Sequence, residues 1–184
     1  ATLDRCGAYG LINKIEFIQN GTVLTSVSKY NVLMTALTDL QMSQDYRGSQ
    51  GRLLEGLEAD CLRGEIVTTG TTRTYYLSPL ACDLAMTTPH RSLYLGSSAN
   101  IVIRLTLESD AIALQHNSGT PAYSIERPEL IIDSTFLERE TMDALNKAVG
   151  GSYNILCNSY DHMSAIVGAG TTSSHIKLSF AKAS

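Results

Sequence analysis

The segment Ala99-Asn-Ile-Val-Ile-Arg-Leu-Thr-Leu-Glu108 constrains the fold more than any other stretch of the chain. Ile101, Ile103, Leu105 and Leu107 project to one side, while Arg104, Thr106 and Glu108 project to the other. A strand has a side-chain period of two, so the pattern predicts a sheet segment with a dry face and a wet face. Its partners have to be found elsewhere in the sequence.

Leu11-Ile-Asn-Lys-Ile-Glu-Phe-Ile18 reads as one such strand, with Ile15 and Phe17 on one face and Ile12 and Ile18 on the other. Asn20-Gly21 then supplies a two-residue hairpin, because both positions tolerate positive φ, and Thr22-Val-Leu-Thr25 returns as the partner. Asn20-Gly-Thr22 is also a glycosylation sequon, but the turn accounts for it without modification. Ser28 caps a helix running to about Gln41, with Tyr30, Leu33, Leu37 and Leu40 as its apolar stripe. Gly48, Gly51 and Gly56 among Gln, Ser and Arg predict a long irregular loop over 43–56.

Glu65-Ile-Val-Thr68 and Arg73-Thr-Tyr-Tyr-Leu-Ser78 read as two strands joined through Thr69-Gly70-Thr71. Beyond Pro79, Leu80–Met86 suits a short helical turn and Ser92–Leu95 a short strand, and Ala111–Leu114 follows the ladder as another. His116–Pro121 is a loop. Tyr123–Asp133 is extended, limited by Pro128 to an edge or a bulge. Thr135-Phe-Leu-Glu138 has a capping-box pattern opening a helix to about Val149, which Gly150-Gly151 ends. Ser152–Asn158, Ala165–Val167 and His175–Phe180 complete the series, with Ile176, Leu178 and Phe180 on one side of the last. Many short strands and few helices predict an all-β fold with minor helices, an antiparallel β-sandwich rather than a doubly wound sheet. A strong terminal strand is an aggregation hazard, so its edge is expected to meet further chain or a neighbour in an assembly.

Composition narrows the function classes. The 184 residues can bury roughly 70% of their unfolded surface, so neither disulfides nor metal are required for a core. Charged residues are only 17% against about 25% in typical soluble domains. That fits a surface covered by neighbours, and equally a Ser-, Thr- and Gly-rich β composition. Net charge is −4, and Arg63, Arg73, Arg91 and Arg104 stand singly, against direct contact with nucleic acid. No apolar run approaches the roughly 18 residues of a membrane span, so no membrane insertion is expected. Ala1–Cys6 lacks a signal-peptide pattern, which with scattered cysteines agrees with synthesis in a reducing interior. Cys6, Cys61, Cys82 and Cys157 form no Cys-x-x-Cys pair; three disulfide connectivities are open, and buried free thiols are the simpler reading.

Several residue groups invite a chemical reading. Cys157-Asn-Ser-Tyr-Asp-His162 places a thiol near Asp161 and His162, but triads are assembled by the fold and no flanking hydrolase motif is present. Gly168-Ala-Gly-Thr-Thr172 lacks the Lys-Ser/Thr and the following helix of a phosphate loop. His90, His116, His162 and His175 lack metal-ligand spacing. Glu138/Glu140 and Asp60/Glu65 are acidic pairs with no sign that they oppose each other across a cleft. The sequence therefore assigns no catalytic, cofactor-binding or metal-ligating residue, and no cofactor.

The order of the pieces resembles the major capsid proteins of the double jelly-roll lineage of icosahedral viruses. The residues carrying the resemblance are Gly10–Ile18, the Asn20-Gly21 turn, the Ser28-Lys-Tyr-Asn31 helix entry, Leu77-Ser-Pro-Leu80 and the Ile101–Leu107 ladder. Tyr123–Val149 resembles the connection between two rolls. The resemblance implies a first jelly-roll domain over 1–121, an extended and helical connection over 122–151, and the start of a second roll or closing strands over 152–184. That family carries two complete rolls, so a fragment, or a single-roll capsid or penton protein, also stays open. What the resemblance implies is a non-enzymatic capsid subunit of the virion. It would form trimers and a shell, contacting neighbouring capsomers and vertex or minor capsid proteins through loops such as 43–56 and 115–121. The alternative is a β-sandwich module that binds a ligand or glycan.

Overall fold

The Asn20-Gly21 turn and the alternating runs flanking it build the main sheet. In the computed structural model, which describes residues 1–78, 100–116, 119, 121–132, 135–150, 160–175 and 177, both turn residues have positive φ, 48° and 81°. This is the twist-matched geometry of a two-residue hairpin. Ahead of the hairpin lie β1 (Thr2–Leu3) and a 3-10 turn (Gly7–Leu11). The hairpin joins β2 (Ile12–Gln19) to β3 (Thr22–Ser28), and β4 (Ile101–Leu107) pairs antiparallel with the other side of β2. The sheet order is β3-β2-β4.

Helix α1 (Tyr30–Gln41) covers one face of this sheet. Tyr30 and Met34 are fully buried against Ile15, Phe17 and Val27, with Leu33, Leu37 and Ile103 packed around them. Burying each such side chain contributes about 1.5–3 kcal/mol. The anticipated stripe is rotated at its end: Leu40 is 83% exposed, and Thr38 lies inside instead. The helix also begins differently. Its cap is Lys29 in the left-handed region (φ 52°), rather than Ser28 through its hydroxyl.

Segment 43–56 is helical rather than the expected loop. It comprises α2 (Gln44–Tyr46), a π turn (Arg47–Gly51) and α3 (Arg52–Glu55), opened by the Ser43 hydroxyl accepting from Tyr46 N–H and ended by Gly56 at φ 71°. Beyond β4 come α4 (Asp110–Ala113) and β5 (Leu114–Gln115), where a single strand over 111–114 was anticipated. β5 pairs with β1, and Ile66 bridges to Thr2. Among the described residues this is the only strand pairing made by the two strands expected over 65–78, which otherwise run as irregular chain. α5 (Arg139–Val149) ends at Gly150 in the left-handed region as anticipated, but it starts after Glu138, with no side-chain cap from the Thr135 box.

The all-β jelly-roll sandwich is therefore overturned. Among the described residues the chain is a mixed α/β protein, about 31% helix and 19% strand, in two small sheets. The physical reason lies in what covers the sheet. A sandwich needs a second sheet on the inner face, whereas here α1 occupies that face. The runs at Tyr123–Ile132 and Ala165–Val167 join no sheet among the described residues, and Arg127 within the first has a left-handed φ of 50°. The expected elements at Leu80–Met86, Ser92–Leu95 and Ser152–Asn158, and most of His175–Phe180, fall outside the described residues.

Candidate functional site

The most organised polar site lies where β2, β3 and β4 meet the start of α1. The β2–β4 register shifts between Ile12 and Lys14, leaving Asn13 as a bulge. A bulge re-aims side chains. Here it turns Ile12 into the same core cluster as Ile15 and Phe17, although strict alternation puts it on the opposite face. It also brings Asn13 Nδ2 within 2.8 Å of Glu108 Oε2. The same oxygen accepts from Asn31 Nδ2 at 3.1 Å and faces Lys29 Nζ at 3.7 Å, while Oε1 accepts from Ser109 N–H at 3.1 Å. Burial alone would raise this carboxyl. The Ser109 N–H, the Lys29 ammonium and the two amides outweigh it and hold Glu108 below the usual carboxylate range.

Tyr123 fastens the following chain to this joint. Its hydroxyl donates to Glu108 O at 2.6 Å, with Leu11 O at 3.3 Å, the carbonyl that already accepts from Glu108 N–H. Beyond Tyr123 the chain becomes an arm. Described residues 124–141 are all exposed, including Ile125, Leu130, Ile131 (75%), Ile132 and Phe136 (93%); only Met142 and Leu145 of α5 are half-buried. Ile166 and Val167 are exposed as well.

Two open hollows flank the outward ridge of α1 formed by Val32 and Ala36. One, of about 440 Å³, is lined by Asp4, Arg5, Asn31, Thr35 and Ile112. The other, of about 240 Å³, is lined by Ser28, Lys29, Leu33, Tyr160, Asp161 and His162. The latter receives three members of the Cys157–His162 group, Tyr160, Asp161 and His162, but Cys157 lies outside the described residues. Cys6 is a buried free thiol pushed up to about 12 by its burial, and Cys61 is a half-buried free thiol; Cys82 and Cys157 are not among the described residues.

The remaining sequence candidates are dispersed. Glu65 is paired with Arg73 and accepts from the Tyr75 hydroxyl, whereas Asp60 accepts from Leu62 N–H. Glu138 and Glu140 sit at the exposed start of α5. Gly168–Thr171 closes a tight turn through Thr171 N–H to Gly168 O. Among the described residues no group of three or more His, Cys, Asp or Glu side chains is placed to hold a metal, and no helix is long and apolar enough to cross a membrane.

Two buried charged groups escaped the sequence reading. Arg47 is fully buried, with its guanidinium donating to Arg5 O (2.7 Å), Glu58 O (3.1 Å) and Asp39 Oδ1 (3.4 Å). Glu55 is buried beside Tyr9 and Tyr46. Neither has a sequence signature, because both sit in a stretch whose glycines read as loop. Compared with protein-family models, curated proteins and solved structures, the chain matches none.

Proposed function

We propose that this chain is a non-enzymatic structural subunit that works by self-association, and that the assembly is a viral shell. The observation carrying the first part is the arm after Tyr123, which presents the consecutive Leu130, Ile131 and Ile132, and beyond them Phe136, to solvent. Exposed apolar patches of this kind mark interaction surfaces. A chain with only 17% charged residues is suited to having such surfaces covered by neighbours. The shell reading rests on the sequence resemblance alone, since the jelly roll which that resemblance implied is overturned. The test is the native mass of the purified protein by light scattering, together with electron microscopy. Trimers or closed shells support the reading; a stable monomer at high concentration overturns it.

A second reading has one observation in its favour, the hollow beside Asp4, Arg5 and Asn31. A monomer that binds a small ligand saturably, with loss of binding on Arg5→Ala, would favour a binding module.

A further inference from the structure

Glu55 closes the last turn of the 44–55 helical segment, and the residue is only 4% exposed. Oε1 accepts from the Tyr9 hydroxyl at 3.0 Å and from the Tyr46 hydroxyl at 3.3 Å. Oε2 is buried with no hydrogen-bond partner. Tyr9 belongs to the 3-10 turn, and its oxygen in turn accepts from Ser78 N–H at 3.1 Å. One carboxyl thus joins the 3-10 turn, α2 and the chain near Ser78.

The charged groups on the surrounding elements are engaged elsewhere. Arg47 spans Arg5 O, Glu58 O and Asp39; Arg52 pairs with Glu58; Arg73 pairs with Glu65, which also accepts from Tyr75. Among the described residues, the groups bonded to the Glu55 carboxyl are the two tyrosine hydroxyls. A buried carboxylate with one orphaned oxygen and no cation is costly, whereas the neutral acid is much less so.

We propose that Glu55 is a proton-operated latch, neutral while segment 44–58 is docked on the 3-10 turn and releasing that segment when it ionises. Burial pushes the carboxyl up, against the opposing pull of the Tyr9 and Tyr46 hydrogen bonds. The docked state then binds the proton more tightly than the open state. Docking is strongest below the ordinary carboxyl range and is lost as pH rises through the elevated value. The latch is independent of the self-association reading, since it concerns docking within one chain.

The test uses the full chain, with hydrogen exchange of the 44–58 amides compared with β2 and β3 across pH and corrected for intrinsic exchange. The Glu55 carboxyl is followed in parallel by carbon NMR. Expected are a carboxyl midpoint above the ordinary range and a selective loss of 44–58 protection of up to about tenfold per pH unit below that midpoint. Glu55→Gln keeps an acceptor for both tyrosines and cannot ionise, so its protection should persist at neutral pH. Tyr46→Phe removes one donor to the carboxylate and should move the midpoint further up. An ordinary midpoint, wild-type protection that does not change with pH, or an unaltered pH profile in Glu55→Gln would each overturn the latch. If Glu55→Gln does not fold, an unmoved midpoint in Tyr46→Phe does so.

Discussion

At Glu108, four donors from three separate parts of the chain meet one buried carboxylate: Asn13 from β2, Lys29 and Asn31 from the start of α1, and Ser109 from the cap of α4. Truncation to alanine would leave the Asn13 and Asn31 amides without their acceptor. Glu108→Ala should therefore cost about 1.5–3 kcal/mol in denaturant unfolding, the range for hydrogen bonds to a charged group. The pH dependence follows from the sign of the shift. A carboxyl held low in the folded state contributes stability that is present above its unfolded value and lost as pH falls through its folded one. Glu16, hydrogen-bonded to Lys14 and facing Arg104, is held low in the same sense. Unfolding measured between pH 7 and pH 3 should show wild-type stability declining on the acid side, and Glu108→Gln should flatten part of that decline. Of this site, the sequence shows Glu108 as a wet-face residue at the end of a strand. It does not show the bulge at Asn13, because a one-residue register shift leaves no mark on an otherwise regular alternation.

The elements divide by how local their causes are. The β2–β3 hairpin, β4, and the end of α5 at Gly150 were all legible, because adjacent residues dictate them: a positive-φ turn, a period of two, a left-handed helix stop. Segment 43–56 was not. Its glycines read as breakers, yet Gly48 and Gly51 lie where the helical turns pack tightest. A Cβ on Gly51 would sit 2.9 Å from Leu57 Cδ1, and one on Gly48 would sit 3.2 Å from the Ala59 Cβ. Tertiary packing around the buried Arg47 overrides the poor helix propensity. Arg47→Met should accordingly cost about 1–3 kcal/mol, because the Arg5 and Glu58 carbonyls lose this buried donor, read as a shift of the unfolding midpoint. Gly7 and Gly21 make a second comparison, as both have positive φ. A Cβ at Gly7 would collide with the Glu55 carbonyl, whereas Gly21 has open space around it. Gly21→Ala should cost only the backbone strain of roughly 1 kcal/mol, and Gly7→Ala clearly more, because the 3-10 turn and α3 would have to separate.

For the whole molecule, the question is what becomes of the arm. Its anchor is a tyrosine hydroxyl bonded to backbone carbonyls, and the exposed residues beyond it include Ile125, Leu130, Ile131, Ile132, Phe136 and Leu137. Alternation and capping patterns identify such residues as extended or helical but cannot say whether the apolar side faces its own core. The expectation of a sandwich assigned Tyr123–Asp133 to a sheet edge or a bulge; in the structure its described residues pair with no strand among the described residues. Covering Leu130, Ile131, Ile132 and Phe136 would contribute about 6–12 kcal/mol at 1.5–3 kcal/mol for each side chain. Association costs on the order of 4–15 kcal/mol in lost rigid-body freedom alone. The two are close enough for two substitutions to decide the balance. Leu130→Asp with Ile131→Asp should shift the protein to monomer in sedimentation while leaving its melting temperature near the wild-type value, since neither side chain is buried in the isolated chain. If the double variant stays assembled, the arm does not carry the association. If it loses its fold, these residues are needed within the chain, and their exposure is not available for a neighbour.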